Sequence, residues 1–158
     1  MEHNIKILVA DDHPMLLKGV LDELDKNGYK EVYAANNGAE ALAVLLENTI
    51  EVAILDIEMP ILSGFEVIKK FSEVGIVGTR FIILTSHKEK GFVIKAKKFN
   101  ISGYILKDEP FEELDQCIQT VLKGKEYFSN TFDQVFNNQV SPILKKIKFE
   151  LDQTHISL

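Results

Sequence analysis

Val52-Ala53-Ile54-Leu55-Asp56-Ile57-Glu58-Met59-Pro60 is the stretch on which the fold turns. Four apolar residues in a row, without polar alternation, describe a short interior strand covered on both faces, as in a parallel sheet flanked by helices. Three further apolar runs end in a similar way. Ile5 to Ala10 runs into Asp11 and Asp12, Phe81 to Leu84 into Thr85, and Tyr104 to Leu106 into Lys107. If all four are parallel strands of one sheet, their carboxyl ends share an edge. Open α/β sheets bind ligands outside that edge, at the topological switch point, so acids, a hydroxyl and a lysine would converge there.

Working outward, strand-like runs near 4–10, 31–35, 51–55, 80–84 and 102–106 alternate with helical stripes, the signature of βα units. Glu31-Val32-Tyr33-Ala34-Ala35 is the least apolar of the runs and is expected at an edge. Leu17, Val20, Leu21 and Leu24 share one helical face, and Pro14 fits its first turn. Other stripes are Ala41, Leu42, Leu45; Val67, Ile68, Phe71; Phe92, Val93, Ala96, Phe99; and Leu114, Cys117, Ile118, Val121. Asn37 with Glu40, Ser63 with Glu66, and Ser86 with Glu89 have the spacing of helix-opening caps, and Pro110 suits the start of the fifth helix. Five units finish near Gly124. A single α/β domain over 1–124 is therefore expected, followed by a helical linker or extension over 125–158. There a short helix over 130–139 is read, then a break at Ser141-Pro142, then an amphipathic or partly disordered segment over 143–151.

Composition narrows the function. A chain of 158 residues has room for one ordinary domain and a modest extension. No apolar stretch approaches the roughly 18 residues of a membrane span, and the N-terminus lacks a secretory pattern, so a cytoplasmic protein without a membrane partner is expected. A single cysteine excludes an internal disulfide and any multi-cysteine metal site, and Cys117 reads as a small core residue. The net charge of −6 argues against this chain alone gripping DNA through its phosphates.

Asp11, Asp12 and Asp56 crowded on one edge would repel, by about 4 kcal/mol for two unit charges ~4 Å apart at an effective dielectric near 20. They need a cation. Hard oxygen ligands beside a phosphate suit Mg²⁺, whereas nothing here offers the thiolates or imidazoles that favour zinc. A carboxylate beside such a metal can act as nucleophile and form an acyl phosphate.

These motifs make the chain resemble the receiver domains of two-component response regulators, and among them the NarL/LuxR-type transcriptional regulators. The likeness rests on Val9-Ala10-Asp11-Asp12-His13-Pro14, Ile54-Leu55-Asp56-Ile57-Glu58-Met59-Pro60 with Ser63-Gly64, Leu84-Thr85-Ser86, and Gly103-Tyr104-Ile105-Leu106-Lys107-Asp108, and it covers about residues 4–124. It implies a doubly wound, flavodoxin-like α/β fold with five parallel strands in the order 2-1-3-4-5. It implies a signalling domain, not an enzyme, that takes a phosphoryl group on Asp56 from a sensor histidine kinase with Mg²⁺ as cofactor. Asp12 would bind the metal directly, Asp11 mainly through water, and Asp56 and the backbone carbonyl of Glu58 would complete the protein ligands. Lys107 and Thr85 would meet the phosphoryl oxygens, and Tyr104 would change rotamer with Thr85. Ser86 would allow close approach, while Glu58 and His87 would tune hydrolysis. Homodimerisation on phosphorylation is the implied output, with DNA reached only through a helix-turn-helix domain absent from this chain.

One departure is Asp108, where many receivers carry a proline, often after a cis bond. A non-proline cis peptide costs about 2.5–4 kcal/mol, so none is expected here, and the Lys-Asp pair is familiar in the NarL/LuxR-type branch. His13 reads as the start of the first helix, with contact to the metal or the phosphodonor as its second reading. Three rivals differ in class. A stand-alone receiver would act through protein contacts alone, and an aspartyl-phosphate phosphatase would turn over phosphomonoesters. A flavin carrier would need a phosphate cradle that Asp11-Asp12-His13-Pro14 does not supply.

Overall fold

Each apolar run forms a strand because its alternate side chains have a helical layer to meet on either face. The computed structural model describes residues 3–129, leaving aside the side chains of Lys90 and Val93. Its elements are β1 (His3–Ala10), α1 (Pro14–Lys26), β2 (Tyr29–Ala35), α2 (Gly38–Glu47), β3 (Val52–Leu55), α3 (Gly64–Val74), β4 (Arg80–Thr85), α4 (Lys90–Lys98), β5 (Gly103–Leu106), α5 (Glu113–Leu122) and β6 (Tyr127–Phe128). Leu8, Ala53, Leu55, Ile83 and Tyr104 face a core closed by α2, α3 and α4, through Leu45, Phe71 and Ala96 among others. Their sequence neighbours Ile7, Val52, Ile54, Ile82 and Ile105 face a second core closed by α1 and α5, through Leu17, Val20, Leu24, Leu114 and Cys117. A fully buried aliphatic side chain contributes about 1.5–3 kcal/mol. Three of them, Val52, Ile54 and Leu55, outweigh any local preference of a strand as short as β3, so its register is set by the two layers rather than by propensity.

The sheet is parallel throughout, in the order β2-β1-β3-β4-β5-β6. The chain reverses direction across the sheet between β1 and β3, which opens a crevice beyond their carboxyl ends. Ala10 stands beside Leu55, so the residues that follow both strands are neighbours. The ladder runs one residue further on each side. Asp11 N–H donates to the Ala35 carbonyl (3.1 Å), Asp56 N–H to Ala10 (3.1 Å) and Lys107 N–H to Thr85 (2.8 Å). The backbones of Asp11, Asp56 and Lys107 are thereby pinned by the sheet itself.

All five expected strands are present, with β2 at an edge, and four findings differ from the reading of the sequence. First, β6 makes a sixth strand where a helical extension was expected from residue 125. Gly124, at φ 82°, ends α5 and turns the chain back, and Tyr127 N–H and Ser129 N–H then reach the carbonyls of Ser102 (2.9 Å) and Tyr104 (3.0 Å). Left open, that side of β5 would present unpaired edge groups. Second, Ser86 and Glu89 make no cap, because the segment between them is held over the site, and α4 starts only at Lys90. Third, Pro110 lies a turn ahead of α5, its carbonyl accepting from Glu113 N–H (3.1 Å). Fourth, the Asn37 cap forms, but Glu40 reaches back to the Asn36 amide instead of closing a box, whereas Ser63 and Glu66 close theirs reciprocally. The peptide bonds are all trans among the described residues. Cys117 is fully buried, and burial pushes its thiol up beyond reactive range. The segments read at 130–139 and 143–151 lie outside the described residues.

The loop from β3 to α3 is clamped onto the start of α2. Gly38 N–H donates to the Pro60 carbonyl (3.2 Å), and a Cβ on Gly38 would stand 2.0 Å from the backbone oxygen of Leu62. Gly38→Ala is therefore expected to destabilise the fold by at least about 1–3 kcal/mol, since a backbone cannot yield as a side chain does. Gly91→Ala, where a Cβ meets nothing within 4 Å, should instead stabilise α4 by about 0.5–1 kcal/mol. Denaturant midpoints of the two variants, moving in opposite directions, check both.

Candidate functional site

Beyond the carboxyl ends of β1, β3 and β5, three loops deliver their side chains to one point. Asp11 is 3% exposed, and its Oδ1 accepts from the backbone N–H of His13 (2.9 Å), a two-residue turn that aims the chain into Pro14 and α1. Asp56, 4% exposed, has its Oδ1 held by the N–H of Ile57 (2.7 Å). Lys107 Nζ sits between the two, 2.8 Å from Asp56 Oδ2 and 2.9 Å from Asp11 Oδ2. Asp12 lies at the exposed rim. Ligand atoms of Asp11, Asp12, His13 and Asp56 all fall within 4.8 Å of one another.

One ammonium thus serves two buried carboxylates with a third nearby. Burial pushes the Asp56 carboxyl above its usual value, and the Asp11 charge adds to this, outweighing the opposing pull of Lys107 and the Ile57 amide. Burial would lower the Lys107 ammonium, but its bonds and attraction to Asp56 and Asp11 prevail and hold it above its usual value. The Lys107 shift reflects the two carboxylates around it and the Asp56 shift chiefly burial with a part from Asp11; a hard, oxygen-seeking divalent cation fits this donor set.

The second group surrounds β4. Thr85 is fully buried and its Oγ1 accepts from the His87 N–H (3.2 Å). Tyr104, also fully buried, donates its hydroxyl to the His87 carbonyl (2.6 Å), and burial raises that hydroxyl's pKa. The His87 ring is held from both sides, Nε2 3.0 Å from Glu58 Oε1 and Nδ1 3.3 Å from Glu89 Oε2, and lies against Phe92. This is why Glu89 is unavailable to cap α4. Ser86 is exposed beside it. Glu58 lines, with Asp12, His13 and Met59, an open depression of about 400 Å³ next to the acids.

The structure therefore gathers Asp11, Asp12, Asp56 and Lys107 at one point, and links Thr85, His87, Tyr104 and Glu58 in a chain alongside. Two features depart from the main reading of the sequence. The His13 ring enters the acid cluster, 2.9 Å from Asp11 and 3.4 Å from Asp12. Its offset of two from Asp11 was the available signal. Ile61 takes φ 74° while Leu62 N–H donates to the Pro60 carbonyl (2.9 Å), a strained γ-turn on a β-branched residue that no local signal announces.

With the geometry in place, comparison with known proteins is consistent with it. Residues 7–119 match the family model described as the response regulator receiver domain. The uncharacterized transcriptional regulatory protein YvfU of Bacillus subtilis (strain 168) is 36% identical over 126 residues, 79% of this chain and 62% of YvfU. The transcriptional regulatory protein DesR of the same organism is 30% identical over 149 residues, 94% of this chain and 73% of DesR. The chain thus spans about three fifths to three quarters of these relatives. Among solved structures, a LuxR-family two-component response regulator from Aurantimonas sp. SI85-9A1 superposes with TM-score 0.79 at 27% identity, covering 87% of this chain and 98% of that one. No helix among the described residues is long and apolar enough to cross a membrane. An acid pocket at the switch point of a parallel sheet, a lysine bridging two of its carboxylates and this set of relatives make one assignment: the chain belongs to the family of response regulator receiver domains, non-enzymatic units of signal transduction whose relatives here are NarL/LuxR-type transcriptional regulators.

Proposed function

We propose that Asp56 is the phosphoacceptor of this receiver, that the protein is cytoplasmic and that its phosphodonor is a sensor histidine kinase. The observation that carries the reading is the Lys107 ammonium held between Asp56 and Asp11 in a pocket with a surplus of carboxylate. Asp11, Asp12 and Asp56, with the backbone carbonyl of Glu58, would hold Mg²⁺, which when bound supplies charge neutralisation for the acids and for an incoming phosphoryl group. Asp56 attacks phosphorus, an O–P bond forms, and the bond from phosphorus to the donor breaks. Lys107 keeps its proton and turns from the bare carboxylate to the new phosphoryl oxygens. Thr85 offers its hydroxyl to the same oxygens, Ser86 leaves room for them, and Glu58 and His87, joined across the mouth of the site, set how readily water reaches the acyl phosphate.

Phosphorylation adds about −1.5 to −2 charges and three strong acceptors at this point. The route outward runs from Thr85 through the His87 backbone to Tyr104, and from the Tyr104 carbonyl to Ser129 at the end of β6. We assign the receiver to residues 1–129, which revises the boundary at 124 to include β6. DNA contact is assigned to an output segment of the kind its regulator relatives imply, since a net charge of −6 disfavours it on this unit. Incubation with acetyl phosphate and Mg²⁺ tests the assignment. Intact mass is expected to rise by one phosphate, with the adduct mapped to Asp56 and no uptake when the metal is chelated beforehand. Steady turnover of a phosphomonoester would instead mark a hydrolase and overturn it.

A further inference from the structure

His13 sits where a cation belongs. Its ring Nδ1 lies 2.9 Å from Asp11 Oδ1, 3.4 Å from Asp12 Oδ1 and 4.0 Å from Asp56 Oδ2, so one atom approaches an oxygen of each carboxylate. Lys107 Nζ is 3.5 Å from the same nitrogen. Toward carboxylate oxygens Nδ1 can act only as a donor, in the tautomer that places the hydrogen there. Mg²⁺ needs oxygens at about 2.0–2.1 Å in an octahedron, with water completing it. An imidazole N–H and that octahedron cannot occupy the same few ångströms, and a nitrogen ligand is a poor exchange for oxygen on so hard an ion.

The ring also has somewhere to go. The His13 side chain is 64% exposed, whereas its backbone N–H is tied to Asp11 Oδ1. Rotation about the side-chain bonds alone can take the ring into solvent without disturbing the turn that starts α1. We infer that His13 is a removable occupant of the cation site: its ring bridges Asp11 and Asp12 while no divalent ion is present and must swing out for Mg²⁺ to enter. The inference rests on the reading of the acids as a Mg²⁺ site, and makes this side chain the residue that sets the apparent affinity. A site that is open only a fraction of the time binds with an affinity reduced by that fraction, so a ring inside nine-tenths of the time weakens binding roughly tenfold.

Calorimetric titration of MgCl₂ into the full chain tests this without any phosphodonor. His13→Ala is expected to bind Mg²⁺ roughly tenfold more tightly than the wild type. In the wild type, the imidazole nitrogen resonances of His13 should shift on Mg²⁺ saturation as the ring loses its carboxylate partners. Thermal unfolding in a chelator confirms that the variant is folded, as the exposure of the side chain leads one to expect. Equal or weaker binding by His13→Ala overturns the inference, weaker binding meaning that the imidazole helps to hold the ion. If the wild type takes Mg²⁺ and phosphate on Asp56 while the variant gains no affinity, this inference alone falls. If neither protein binds Mg²⁺, the Mg²⁺ reading of the acid pocket falls with it.

Discussion

Asp56→Asn is expected to take up no phosphate from acetyl phosphate and Mg²⁺ under conditions in which the wild type gains one, a complete loss seen directly in the intact mass. The amide keeps the size and most of the hydrogen bonding of the side chain, so the Ile57 N–H still finds an acceptor, but it is no nucleophile toward phosphorus. Asp11 and Asp12 are not expected to substitute. Asp11 is held through both oxygens by His13 and Lys107, and Asp12 stands at the rim. The same variant should be more stable than the wild type in a chelator, by about 0.5–2 kcal/mol, because it removes one of several crowded charges and leaves Lys107 to Asp11. The pH dependence has a definite sign. Burial and Asp11 raise the Asp56 carboxyl above the ordinary value of 3.8, so the folded protein holds that proton more firmly than the unfolded chain does. The associated stability is fully present below 3.8 and is lost as pH rises through the raised folded value. The advantage of Asn over Asp should therefore open up as pH rises across that window and stay level beyond it. A stability difference that shrinks with rising pH would contradict the charge surplus on which the phosphoacceptor reading rests.

Most of what positions this site could be read from the chain because it depends on long-range burial that leaves a plain mark. Val52 to Leu55 are apolar at every position since both layers of helices need them, and an acid after such a run has only the sheet edge to occupy. The residues that follow the strands are placed by backbone ladders, which tolerate any side chain, so Asp11, Asp56 and Lys107 converge without further instruction. What escaped was local and short. Tyr127 and Phe128 are too few for a period of two to show, and their pairing is decided by the open edge of β5. Ser86 and Glu89 carry the spacing of a cap, but His87 recruits Glu89 through its ring and Tyr104 through its carbonyl, and tertiary contacts outweigh the local preference. Ile61 adopts a backbone that its own side chain disfavours because the loop must bring Gly64 N–H to the Ile57 carbonyl (2.8 Å) within a few residues of Asp56. For His13 the helix start was the main reading and contact with the site the lesser one, and the turn on Asp11 gives the residue both.

Loading the site with a phosphoryl mimic such as beryllium fluoride and Mg²⁺ is expected to double the mass of the protein in solution, measured by light scattering or sedimentation. The magnitude argues for a partner. A hydrogen bond to a charged group nets about 1.5–3 kcal/mol, whereas moving a two-state element from 1:99 to 99:1 takes about 5.5 kcal/mol. One new bond from Thr85 to the phosphoryl group cannot supply that, the more so because Thr85 must first release the His87 N–H. Once released, the segment 86–89 loses a tether, the Tyr104 hydroxyl loses a fixed carbonyl, and the change reaches β6 through the Tyr104 and Ser129 backbones. The remaining free energy has to be shared among the metal, Lys107 and surface buried on association. Thr85→Ala separates the steps: it leaves Asp56 and Lys107 intact and is expected to accept phosphate yet remain a monomer. A wild type whose mass stays unchanged when the mimic is bound would overturn dimerisation as the output, and a Thr85→Ala variant that dimerises as readily as the wild type would remove the hydroxyl from the path.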